Sequence, residues 1–239
     1  MKICEIYDEL NNFSPFELQE TWDNSGLLVG DFDDEFEEIC LCLDISLEII
    51  KKAKSKTLFI AHHPLIFKGL KKINSTFPAS VIKEMIKKDC SLIAMHTNID
   101  KTHLSKYVTE KVLEQKIVES EEFVCYFDTD MSFDELVLHV KKKLNLLHVR
   151  VVKADKKIKR VALVTGSGAD FIENINADCF LTGDLKYHQA FSAKEDNLAL
   201  IDIGHYESEL FFMDILNEYL KKFGIKVIMS DCKNPFEYR

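Results

Sequence analysis

The stretch EEICLCLDISLEIIKKAKSKTLFIAHHP (37–64) decides the fold. The apolar run ICLCLDIS gives way to the amphipathic SLEIIKKAKSK and then to a second apolar run, TLFIA. Two near-continuous apolar strands joined by a helix with one wet face describe a parallel pair covered on both sides. The same pattern extends outward, with GLLVG (26–30) before it and FPASVIKEMIKKDC (77–90) and SLIAMH (91–96) after it. These add a strand, a helix and a strand. The opening residues read as a helix from Met1 to about Leu18, interrupted by NNFSP, with Ser14 placed to cap a second turn at Pro15.

A second series starts near Glu121. FVCYF (123–127) reads as a strand, and MSFDELVLHVKKKLNL (131–146) as a helix with Ser132 and Glu135 at capping-box spacing. HVRVVK and RVALVT flank ADKKIK as a hairpin would. ADFIENINA then reads as a short helix, CFLTGD and LALIDIG as strands, and ESELFFMDILNEYLKKFG as a helix ended by Gly224. KVIMS is the last strand. The expected class is α/β: two similar domains, each a sheet flanked by helices, at 1–121 and 122–239, with the C-terminal strand able to return to the first.

Composition narrows the function. The 239 residues carry a net charge of −9, which denies a general nucleic-acid binder the basic field it needs to displace counterions. No run of about 18 apolar residues provides a membrane span, and the acidic start lacks the form of a signal peptide. Seven cysteines at 4, 40, 42, 90, 125, 179 and 232 contain no C-x-x-C pair. Cys40 and Cys42 share one strand face and read as small buried hydrophobes. A cytoplasmic location without disulfides is expected.

The histidines carry the chemistry. TLFIA runs into His62, His63 and Pro64, and SLIAM delivers His96 with Asp100 four residues later. LALIDIG delivers His205, with Glu209 at i+4 on the helix that follows. Residues four apart stack on one helix face, so one ion can meet both. In α/β folds ligands collect beyond the carboxyl ends of strands, and three strand ends here offer imidazole or imidazole with carboxylate. Taken singly, each has a plain reading, a wet strand end or a surface ion pair. Together, His62, His63, Asp100, His205 and Glu209 form an N/O donor set without thiolate, suited to Zn, Mn, Fe or Co. Two carboxylates among five donors suit a pair of divalent ions, a recurring hydrolytic device.

Five blocks resemble one family: ETWDNSGLLVG (20–30), AHHPLIFKG (61–69), AMHTNID (94–100), LTGDLKYHQA (181–190) and IGHYESE (203–209). These are the Nif-three-like proteins, called homologues of a type 2 GTP cyclohydrolase. The blocks stand in the family's order from about residue 20 to 210. The resemblance implies a dinuclear metal site in the cleft between two α/β domains, subunits forming a toroidal homohexamer, and His62, His63, Asp100, His205 and Glu209 as the metal ligands.

Lesser features have two readings each. TGSGAD (165–170) places Gly166 and Gly168 where backbone N–H groups could cradle a phosphate, or where a strand simply turns into a helix. Asp184 either reaches the site or caps the following helix; His188 and His96 are candidates to shuttle a proton or orient a ligand. Trp22 reads as packing, and His103, His139 and His148 as surface residues without partners.

Two functions follow. One is a metal-dependent hydrolase acting on a nucleotide or other small molecule; on GTP, attack would fall at C8 of the purine. The other is a metal carrier or assembly factor for a cofactor pathway, without turnover. A scaffold with structural metal fits less well, since structural zinc sites are usually closed and often rich in thiolate.

Overall fold

The computed structural model of the protein describes residues 1–237. It forms two compact units: Met1–Ile99 together with the segment from Phe212 onward, and Asp100–Phe211. Among the described residues no helix is long and apolar enough to cross a membrane.

The first unit holds a five-stranded sheet of β1 (Gly26–Val29), β2 (Glu38–Cys42), β3 (Thr57–Ala61), β4 (Ser91–Ala94) and β11 (Val227–Met229), in the order β1-β4-β3-β2-β11. β4, β3, β2 and β11 run parallel, and only the edge strand β1 is antiparallel. Every residue of β2, β3 and β4 is buried, which is why these strands read as unbroken apolar runs. Ser46 caps the crossover helix Leu47–Lys52, its hydroxyl accepting from Ile49 N at 3.3 Å. Cys40 and Cys42 point into one core cluster with Phe59, Val81 and Met85, as the shared strand face requires.

The second unit holds a six-stranded sheet of β5 (Ile117–Glu121), β6 (Val124–Asp128), β7 (Arg150–Val152), β8 (Arg160–Leu163), β9 (Cys179–Thr182) and β10 (Ala199–Asp202), in the order β5-β6-β8-β9-β10-β7. β8, β9 and β10 are parallel, and the outer strands antiparallel. Successive residues feed opposite faces. Val161, Leu163, Cys179, Leu181 and Ile201 enter one cluster, while Ala162, Val164, Phe180 and Leu200 enter the other. The helix Phe133–Lys143 begins in the expected capping box, with Ser132 N donating to Glu135 Oε2 at 2.8 Å.

Three expectations are corrected, and one strand is added. HVRVVK and RVALVT form no hairpin: β7 pairs with β10, and β8 lies between β6 and β9. ADKKIK has no glycine to follow Asp155 in a tight hairpin turn, and its Ala154 and Ile158 are buried in the core instead. The first division falls after Ile99 rather than near residue 121, and the chain returns to the first unit from Phe212, where β11 pairs with β2. Val108 and Leu113 pack with Phe127 and Leu136, so the helical segment before β5 belongs to the second core. Ser14 caps no second turn; it ends the helix Ile3–Phe13, its N–H donating to Leu10 O at 2.8 Å. Finally, the polar run IVESE (117–121) hides β5, whose residues are largely exposed at the sheet edge.

Candidate metal centre

In the first unit the parallel strands β4, β3 and β2 end side by side, so the residues just beyond them gather at one edge. β3 is followed by His62 and His63, whose N–H groups donate to Cys42 O at 3.1 Å and Leu43 O at 3.0 Å. β4 is followed by Met95, which donates to Ala61 O at 2.9 Å, and then by His96. Asp44 lies just past β2, and Asp23 precedes the antiparallel β1, which brings it to the same edge.

His62, His63 and His96 each offer a ligand atom, and these atoms lie within 4.8 Å of one another. Each ring is turned by its Nδ1. His62 Nδ1 meets Met95 O at 2.9 Å; a carbonyl only accepts, so Nδ1 carries the proton and Nε2 the lone pair. His63 Nδ1 meets the Asp44 carboxylate at 2.9 Å, and His96 Nδ1 meets that of Asp23 at 2.8 Å. Burial opposes the charge on Asp23, but hydrogen bonds from His96 and Thr97 outweigh it and hold its carboxyl far below the usual range. Oriented imidazoles backed by carboxylates are the usual supports of a metal-ligating histidine.

In the second unit the carboxyl ends of β8, β9 and β10 gather Gly166, Asp184 and His205. His205 opens the helix His205–Glu209, and its Nε2 lies 3.0 Å from Glu209 Oε2. Its Nδ1 donates to Asp184 Oδ2 at 2.7 Å. Burial works against the charged ring, yet the two carboxylates together raise the His205 pKa to about 9. Glu209 is buried, and it fits because Gly166 has no side chain. Gly183 is equally constrained, since a Cβ there would lie 2.6 Å from His205 N. Asp100 opens the π-helical turn Asp100–Leu104.

The residues fit a divalent cation. Three imidazoles with Nε2 lone pairs in one unit, and an imidazole with a buried carboxylate in the other, are borderline-to-hard donors without thiolate.

Several readings change. Asp184 does not cap the helix Tyr187–Glu195, whose N-cap is Lys186; its carboxylate turns His205. The Gly166 and Gly168 amides donate to Ser208 Oγ and Thr182 Oγ1, at 2.9 and 2.8 Å, so this loop is a packed turn and not a phosphate cradle. His188 is exposed and edge-on to Tyr187. His139 is no partnerless surface residue, since its Nε2 donates to Leu113 O at 2.8 Å, and His103 is half-buried beside Thr102 Oγ1. Trp22 is 57% exposed and so is not packed away. Asp23 and Asp44 went unread as partners of the histidines, although Asp44 stands two residues past a strand end, the signal that marked the histidines themselves.

The fold and these clusters define a two-unit α/β protein with histidine–carboxylate groups that could hold a metal ion. The profile of Duf34/NIF3 (NGG1p interacting factor 3) matches residues 1–235, and the chain belongs to the DUF34/NIF3 family. It is 52% identical over 240 residues to the GTP cyclohydrolase 1 type 2 homolog of Campylobacter jejuni, covering 100% of both chains. It is 43% identical over 238 residues to a GTP cyclohydrolase 1 type 2 of Helicobacter pylori, covering 98% of each. Among solved structures, a hypothetical protein of Staphylococcus aureus superposes with a TM-score of 0.89 at 29% identity, covering 100% of this chain and 99% of that one. Reduced HcgD from Methanocaldococcus jannaschii gives 0.85 at 27% identity, covering 97% and 98%.

Proposed function

We propose that this chain binds two divalent ions, of Zn, Mn, Fe or Co, through His62, His63, Asp100, His205 and Glu209, and hydrolyses a nucleotide-like substrate. The observation that carries the reading is the convergence of the proposed donors within each unit: His62 and His63 offer ligand atoms within 4.8 Å of each other and of His96, each ring turned by an acceptor at Nδ1, and His205 Nε2 lies 3.0 Å from the buried Glu209 carboxylate. Bound divalent ions would supply the Lewis acidity for hydrolysis. The protein's own part is orientation and proton control. Met95 O, Asp44 and Asp23 hold three rings in one tautomer, and Asp184 holds the fourth at Nδ1. As a ligand, His205 Nε2 would have to give up its proton, so metal uptake there would release one. The Helicobacter pylori relative supports GTP as the first substrate to try, with attack at C8 of the purine.

Elemental analysis of untagged protein purified without chelator, beside His205→Ala, tests the reading. Close to two equivalents of one of these metals, lost in the variant while the fold persists, is the expected result. Formate release from GTP by the metal-loaded protein then tests the hydrolysis. A protein that releases no formate and hands its ions to an acceptor would replace the hydrolase with a carrier. We further propose a toroidal homohexamer, which light scattering checks; a monomer at micromolar concentration would count against it.

A further inference from the structure

Trp22 and Phe67 are 57% and 44% exposed, although large aromatic side chains are costly to leave in water. They lie together, with ring centroids 6.0 Å apart, and both meet His96, at 6.1 and 6.5 Å, close to edge-on. His96 in turn lies 5.2 Å from His62 and 5.6 Å from His63, so this aromatic surface adjoins the imidazole cluster through its member His96. The surface is held in place from behind. Asn24 Nδ2 donates to Ile66 O, joining the two loops next to the aromatic residues, and the buried Asp23 accepts from His96, Thr97 and Ser25. In a chain of net charge −9, no acidic residue occurs between Glu48 and Glu84, and the exposed Lys68, Lys71 and Lys72 follow Phe67 directly.

We propose that Trp22 and Phe67 form a wall on which the purine ring of a nucleotide stacks, with Lys68, Lys71 and Lys72 bordering its phosphates. This rests on the metal-dependent hydrolase reading and names the residues that would position its substrate. A preset aromatic face suits any planar heterocycle, and stacking brings the ring beside His96. The lysines suit the negative end of the same molecule, which the overall charge of the chain would otherwise repel.

Trp22 is the only tryptophan, so its emission reports on the wall directly. Metal-loaded protein is titrated with GTP, guanosine and inorganic triphosphate. GTP and guanosine are expected to quench the emission and triphosphate is not. Phe67→Ala should weaken GTP about tenfold, within the range for loss of one stacking partner, and Phe67→Tyr should restore it. Changing Lys71 and Lys72 to Gln should weaken GTP and leave guanosine unchanged. No quenching by GTP, equal quenching by triphosphate, or wild-type affinity in Phe67→Ala would overturn the wall. Metal is assayed in the same samples. Intact ions without quenching refute the wall alone, whereas wild-type protein that retains no ions removes the hydrolase reading beneath it.

Discussion

Gly166 and Glu209 compete for one volume: a Cβ at Gly166 would lie 2.0 Å from Glu209 Oε1. Gly166 also sits at φ +67°, where a side chain costs about 1–2 kcal/mol. Gly166→Ala should therefore push the Glu209 carboxylate aside. The expected result is a lowered melting temperature together with less bound metal per chain; unchanged metal content would show that Glu209 is not a ligand.

Asp44 acts on His63 at a distance of 2.9 Å, yet its own side chain is mostly exposed. Asp44→Ala should leave the fold alone and release the ring it orients. Loss of such an acceptor typically costs about 10–100-fold in metal affinity, and competition against a chelating dye measures it. Wild-type affinity in this variant would remove Asp44 from the site.

Ser132 ties down the first turn of the helix Phe133–Lys143 through its reciprocal bonds with Glu135. Ser132→Ala should cost about 1 kcal/mol. In a chain of this size that lowers the melting temperature by roughly 2–4 °C, with no change in bound metal.

His103 gives an acid-side signature. Burial, assisted by Lys106, lowers its pKa from 6.5 to about 4 in the folded chain. The unfolded chain therefore takes up a proton first, so stability falls as the pH drops from 6.5 towards 4 and levels off below. His103→Gln should flatten the melting-temperature curve across that window; an equally steep decline would show that other groups dominate it.

How far the chain can be read linearly follows from the range of each interaction. ICLCLDIS and TLFIA announced buried parallel strands because both faces of β2 and β3 are covered, leaving no polar alternation. The Ser132–Glu135 box and the Gly224 stop were legible because each acts within four residues, Gly224 adopting φ +67°. β7 was misjudged because its partner, β10, lies nearly fifty residues away and nothing in RVV specifies it. The unit boundary was misplaced because an amphipathic helix does not carry the address of the core it covers.

By itself the sequence determined the class of the fold and which strand ends carry imidazoles and carboxylates, since apolar period and residue chemistry are local properties. Only the tertiary structure decided what turns each imidazole. The pairing of β1, β4, β3 and β2 brings Met95 O, Asp44 and Asp23 to His62, His63 and His96, and that of β9 with β10 brings Asp184 to His205. A hydrogen bond spanning tens of residues depends on strand order, and strand order is set by the packing of the whole unit rather than by either residue alone.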